Sequence, residues 1–316
     1  MSEFSTPVRT RVKRARSPVS IPPSPFLKKL GYGTGVGVYK LERSPQANKV
    51  RSPWAIKKLL KQSANNAELK KRLYDEAEVL GKLNHPNIVG FRGFIKSHKN
   101  ESCLAMEKCN VSLGDMIEER REHGLSAFPA MNLMRVAKDI AEALHYLHTE
   151  VLLLHCDVKS FNVLINGNFD VCKLCDFGVT LPLTPSGEVD YLRTGEDVDY
   201  LGTRLWSPPE VFKYPCIITT KADLYSYGLT LWEMLALQPP CLDILDESDT
   251  SLEEIDEESL VGKRPDLPDI DFDASYKYAL EIFHCCTEFD YHERPSALDL
   301  TISIPEMIKE MDSIVN

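Results

Sequence analysis

Leu69, Leu73, Leu80 and Leu83 recur at helical spacing between Asn65 and Leu83, so this stretch is predicted to form an amphipathic helix. A second stripe, Leu133, Val136, Ala137, Ile140, Leu144 and Leu147, predicts a helix that runs up to His148. Shorter β-prone runs, Trp54-Ala55-Ile56-Lys57 and Ser102-Cys103-Leu104-Ala105-Met106, read as strands. Residues 30–39 place a glycine-rich turn between two further β-prone stretches. One residue breaks the first stripe: Glu76 lies on its apolar face. A carboxylate there costs several kcal/mol unless a cation meets it, which makes an ion pair with Lys57 the natural explanation. A glutamate bending out to water is the alternative, and it suits a helix end better than a position in mid-stripe.

With 316 residues, 43% of them hydrophobic, the chain can bury a large core and is expected to divide into lobes. The formal charge of −10 is unevenly spread, with +6 on residues 1–29 and −16 on the rest. Residues 1–25 hold five prolines, five basic residues and few apolar side chains, so they cannot offset their ordering entropy and are expected to be disordered. Their basic cluster suits a nuclear address or plain solvation equally well. No apolar run approaches the roughly 18 residues that cross a bilayer, and the nine cysteines without a secretory signal suggest reduced thiols. A soluble protein shared between cytoplasm and nucleus is expected, with no membrane partner and no sequence-specific nucleic acid. Cys172 and Cys175 share a strand but point to opposite faces, against a metal or redox role.

The chemistry is concentrated between residues 155 and 178. His155-Cys156-Asp157-Val158-Lys159-Ser160-Phe161-Asn162 is followed by a short apolar strand and then Asp176-Phe177-Gly178. A carboxylate, a lysine, an amide and a second carboxylate in fixed order suit phosphoryl transfer, which needs positioning and charge neutralisation more than covalent chemistry. In these motifs the chain resembles the protein kinase superfamily, over roughly residues 26–300. The resemblance implies an α+β, bilobal fold, with a small β-rich N-lobe carrying one key helix and a larger, mostly helical C-lobe. The N-lobe and hinge would span 26–109 and the C-lobe 110–312, with an activation segment at 176–210 and a short tail at 313–316.

The resemblance also implies ATP and Mg²⁺ as cofactors and assigns roles by motif. Asp157 would accept the proton of the incoming hydroxyl, Lys159 would meet the γ-phosphate, and Asn162 and Asp176 would hold the metal. Lys57, paired with Glu76, would meet the α- and β-phosphates. The glycine loop Leu30, Gly31, Tyr32, Gly33, Thr34, Gly35, Val36, Gly37 and Val38 would cover the nucleotide, although the third glycine of the pattern falls on Val36, which predicts an altered tip. Met106, Glu107 and Cys109 match the back of the pocket and the hinge, and Leu30, Val38, Ala55 and Leu164 its apolar walls, a role compatible with ordinary core packing. Thr203 would orient base and lysine, while His155, Asp223, Glu210 and Arg294 match scaffold positions.

A lysine two residues after the base is the serine/threonine pattern, so protein Ser/Thr is the expected acceptor. Within the superfamily, SPFLKKLGYGTGVGVY, KRLYDEAEVL, KSFNVLI and KADLYSYGLTLWEM resemble a mitotic branch similar to MAP kinase kinases. That implies possible dual specificity, MAP kinases as candidate substrates and a role in mitotic and stress-activated signalling. It also implies a proline-directed, cyclin-dependent kinase acting on Thr6 in Thr6-Pro7-Val8-Arg9. Cys156 replaces the arginine that grips a phosphate on the activation segment in many kinases, so activation by that route loses its receptor. The polar Asn316 does not suit a PDZ pocket, and docking of that kind is not expected. Residues 242–259, with nine acids and no Lys or Arg, form an acidic insertion that reads as a solvated loop or as a docking surface for a basic partner. A pseudokinase scaffold, suggested by Cys156 and Val36, and a small-molecule or lipid kinase of similar fold are the alternatives.

Overall fold

The computed structural model describes residues 28–33, 35–46, 49–96, 101–195, 198–240 and 262–315. The expectations for 1–25 with Thr6, for Thr34, for 242–259 and for Asn316 lie outside these residues.

The first part of the chain folds as an antiparallel sheet. Its strands are β1 (Lys28–Gly33), β2 (Val36–Gln46), β3 (Lys49–Leu59), β4 (Phe91–Lys96) and β5 (Ser102–Glu107), in the order β1-β2-β3-β5-β4. Alternation along β3 divides the lobe, because successive side chains leave a strand on opposite faces. Trp54 and Ile56 join Leu41, Cys103 and Ala105 in a small core on one face. Ala55 and Lys57 point to the other, where the register sets Ala55 opposite Met106, and Val38 and Leu104 opposite Lys57.

Helix α1 (Ala67–Leu80) lies on that second face. Asn66 caps it, its side chain accepting from the Leu69 backbone N–H at 3.0 Å. Leu73, Glu76, Ala77 and Leu80 are its buried residues, so the predicted stripe is the buried face. Leu83 lies three residues beyond the helix end, and is partly buried against the same core.

The second part is mostly helical. Strand β6 (Val111–Ser112) leads into α2 (Leu113–Glu122), which is followed by α3 (Ala130–His145). The predicted apolar face of α3 is buried throughout. Short strands β7 (Leu153–Leu154), β8 (Val163–Asn166), β9 (Val171–Leu174) and β10 (Leu181–Pro182) carry the loops between them, with β6-β8-β9 and β10-β7 forming two small sheets. A single turn, α4 (Tyr191–Thr194), precedes α5 (Lys221–Ala236), which is buried from Ala222 to Leu235. Helices α6 (Lys277–Cys286) and α7 (Ala297–Val315) pack on α5 and α3 respectively. Among the described residues no helix is long and apolar enough to cross a membrane, and the eight described cysteines are all free.

Candidate active site

The loop between β7 and β8 is shaped by a carboxylate from α5. Asp223, fully buried, accepts from the backbone N–H groups of His155 and Cys156 at 2.8 Å each and contacts His148 Nε2 at 2.8 Å. Two of those donors are consecutive backbone N–H groups, and Cys156 adopts a left-handed φ of +68°. This clamp holds a strained turn that projects the next residue, Asp157, outward. His155 is wholly buried, with its Nε2 3.1 Å from the Cys175 carbonyl and its ring edge-on to Phe177. Its role is structural.

Asp157 is the centre of a dense polar set. Its carboxylate accepts from Lys159 Nζ at 2.9 Å, from Thr203 Oγ1 at 2.6 Å and from Asn162 Nδ2 at 2.9 Å. Lys159 in turn donates to Thr203 Oγ1 at 2.6 Å. Residues 44 and 46 positions apart in sequence thus close a triangle of carboxylate, ammonium and hydroxyl. The carboxylate is within reach of an incoming hydroxyl, with a cation fixed beside it.

Facing this set across the cleft, Lys57 Nζ lies 2.8 Å from both Glu76 Oε2 and Asp176 Oδ1. The ion pair inferred from the helical stripe is formed, and a second carboxylate joins it. Burial alone would lower the Lys57 pKa, but the carboxylates of Asp176 and Glu76 outweigh it and hold the ammonium above its ordinary value. Burial pushes Glu76 up to about 7, against the pull of Lys57. Burial would also raise Asp176, yet the adjacent ammonium keeps its carboxyl below the usual aspartate value.

The residues suited to a divalent cation meet a simple test. Asp176 stays ionised with a side chain 39% exposed to the cleft. Both described donations from the Asn162 amide nitrogen go to Asp157, which orients the amide and leaves its oxygen as the remaining ligand atom. A carboxylate and an amide oxygen are hard ligands, the kind Mg²⁺ takes together with substrate phosphates. They fit that ion, and Lys57 beside them fits a polyphosphate.

Apolar walls lie where expected. Ala55 and Met106 are buried at 7% exposure each, and Val38, Leu30 and Leu164 are half-buried. Glu107 has its side chain tied to Lys173 Nζ at 3.0 Å and to the Gly90 N–H at 3.1 Å, so any ligand contact falls to its backbone. Cys109 is buried, with its sulfur 3.5 Å from Asn166 Nδ2. In the glycine loop, Gly31, Tyr32 and Gly33 pair antiparallel with Val38, Gly37 and Val36. Gly35 has φ +77°, and a Cβ there would lie 2.4 Å from Leu69 and 2.8 Å from Ser63. Its glycine is thus required for packing against α1, a use the motif alone did not suggest.

Two features were not read from the sequence. Glu233 on α5, 2% exposed, accepts from Ser160 N and Oγ at 3.1 and 2.5 Å and from Trp206 Nε1 at 2.8 Å. It pins the catalytic loop and the Thr203 turn to one carboxylate. The available signal was a glutamate inside the apolar run Leu229–Leu235. The second is the surroundings of Cys156, whose side chain lies in an apolar cluster with Leu154, Leu183, Val189 and Ile218. Burial raises its thiol pKa well above the ordinary value. The expected phosphate receptor is replaced by a hydrophobic contact with the activation segment itself.

Comparison with known proteins agrees with this geometry. The family model described as protein kinase domain matches residues 25–303. The human lymphokine-activated killer T-cell-originated protein kinase is 40% identical over 94% of this chain and 96% of its own length. The mitogen-activated protein kinase kinase kinase zak-1 of Caenorhabditis elegans is 33% identical over 54% of this chain, which spans 23% of that protein. The dual specificity protein kinase shkA of Dictyostelium discoideum is 31% identical over 74% of this chain and 41% of its own length.

Proposed function

The chain belongs to the protein kinase family, and from that premise we propose that it phosphorylates serine and threonine in proteins, using ATP and Mg²⁺. One observation carries the acceptor assignment: the Thr203 hydroxyl bridges Asp157 and Lys159. This leaves the base oriented and a cation beside the site of transfer, as the lysine at position 159 suggested. Asp157 takes the proton of the acceptor hydroxyl as its oxygen attacks the γ-phosphorus. Lys159 balances charge on the transferring group, and Lys57, held by Glu76, steadies the remaining phosphates. Mg²⁺ held by Asn162 and Asp176 would supply charge neutralisation at the phosphate oxygens. With every one of these side chains in place, an active enzyme is favoured over a scaffold.

The finer assignments follow from likeness. MAP kinases as substrates and a role in mitosis are supported by the branch the motifs resemble, and the nematode relative is itself a mitogen-activated protein kinase kinase kinase. A proline-directed kinase acting on Thr6, and residence in cytoplasm and nucleus, rest on the sequence of the basic tail. Phosphoamino-acid analysis of proteins labelled from γ-³²P-ATP tests the acceptor class. We expect phosphoserine and phosphothreonine, with Thr203→Val lowering kcat by roughly 10- to 100-fold and Thr203→Ser retaining most of it. Phosphotyrosine as the sole product would overturn the assignment.

A further inference from the structure

We infer that Tyr200 is a positioning residue for the transfer: its ring, laid against the cluster around Cys156, holds Thr203 on Asp157 and Lys159 without a phosphate on the segment. The inference rests on the kinase reading above and deepens it. The segment that ends at Thr203 runs beside the catalytic loop residue for residue. Thr203 meets Asp157 twice, donating from its hydroxyl at 2.6 Å and from its backbone N–H at 3.2 Å. One residue earlier on each side, Gly202 crosses Cys156 so closely that a Cβ at 202 would lie 2.4 Å from the Cys156 carbonyl oxygen. That approach requires glycine. The carbonyl belongs to the left-handed turn that Asp223 clamps through the Cys156 N–H. The same Cβ would lie 2.5 and 3.1 Å from two atoms of the Tyr200 ring, so the ring folds back over Gly202. It also packs on the apolar cluster of Leu154, Cys156, Leu183, Val189 and Ile218. Tyr200 thus touches both sides of the junction.

The hydroxyl is not what holds the ring there. It is buried and has no hydrogen-bond partner among the described residues. A buried donor left unpaired costs stability, so the favourable contact is that of the ring with its apolar neighbours. Such a contact suits Cys156, whose thiol brings neither charge nor a strong hydrogen bond. With the ring gone, Gly202 is no longer pressed onto the Cys156 carbonyl, and Thr203, the next residue, loses its register. The Thr203 hydroxyl bridges Asp157 and Lys159 at 2.6 Å from each. Loss of the ring is therefore felt in the transfer step, through Thr203. Lys57, Glu76 and Asp176 form their own set on other elements, and ATP binding is spared.

The test measures kcat, the KM for ATP and Tm with the full chain and a protein substrate. Tyr200→Leu and Tyr200→Met keep an apolar side chain but remove the flat ring, and each should lower kcat about tenfold, because misplaced groups lose the geometry of transfer. The KM for ATP should hold within about twofold in both. Tyr200→Phe keeps the ring and drops the unpaired hydroxyl, so it should retain kcat within about twofold at an equal or higher Tm. The decisive arm combines Tyr200→Leu or Tyr200→Met with Thr203→Val: the double variant should match Thr203→Val alone within about twofold, since residues that act through one another do not add. Losses that multiply in the double variants, with Tm falling in step, are what a structural role alone gives and would overturn the inference while leaving the kinase reading standing. So would wild-type turnover by Tyr200→Leu and Tyr200→Met, or a tenfold loss in Tyr200→Phe. A wild-type chain that transfers phosphate to no protein would remove the kinase reading and the inference together.

Discussion

Glu76 and Glu233 are each 2% exposed, and each is pushed up to about 7 by burial, but their partners differ in kind. Glu76 meets the Lys57 ammonium, whereas Glu233 meets only neutral donors from Ser160 and Trp206. A carboxyl whose folded pKa exceeds its unfolded value binds its proton more tightly in the native state. Its contribution to stability is therefore full below about pH 4.5 and is lost as pH rises through about 7. Glu233→Gln carries an amide that does not titrate, and Glu76 titrates in both proteins and cancels. Urea denaturation across pH 5 to 8 should show wild type losing stability relative to Glu233→Gln as pH rises, by on the order of 3 kcal/mol at most. Parallel profiles would mean that Glu233 is already ionised in the native protein.

Among the elements, the activation segment departs furthest from what phosphate-dependent control requires. β10 pairs with β7, Leu183 bridges Val189, and Glu188 bridges Thr219, while Cys156 packs beneath in the apolar cluster. Backbone pairing and burial order this stretch without an added charge. Ser186→Ala combined with Thr194→Ala should keep kcat/KM within about threefold of wild type, because no basic receptor lies at Cys156 to reward a phosphate. Leu183→Ala, by contrast, removes a buried side chain of the cluster and should cost roughly 2–5 kcal/mol of stability. A large loss of activity in the double alanine variant would restore phosphorylation as the switch.

The same elements mark what could be read in the chain beforehand. Lys57 and Glu76 were legible because a periodic stripe exposes a misplaced charge, and the catalytic loop because its residues are consecutive. Glu233 reaches Ser160 across 73 positions, and the cluster around Cys156 joins β7 to residues past 180. Periodicity carries no information on such pairings, which packing alone decides.

Taken whole, the molecule stakes much of its C-lobe on one buried ion pair. Arg294 grips Glu210 with both amino groups, at 2.6 and 2.8 Å, and also donates to the carbonyls of Glu288 and Lys221. Removing one partner leaves the other charge buried and alone, so Arg294→Ala should destabilise by roughly 3–5 kcal/mol. Calorimetry should show this as a Tm lowered by roughly 10 °C, while Lys309→Ala, which removes an exposed pair with Glu306, should leave Tm unchanged. Equal effects from the two would refute the burial argument. The claim that unites these parts is that the cleft between the lobes moves a phosphoryl group from ATP to a protein hydroxyl whose proton Asp157 accepts. Its most direct test is Mg²⁺-dependent transfer from γ-³²P-ATP to a basic protein, measured for wild type and Asp157→Asn alongside calorimetric ATP affinity. The account predicts transfer reduced by about 10³-fold at unchanged affinity; transfer at the wild-type rate by Asp157→Asn, or no uptake of ATP by either protein, would contradict it.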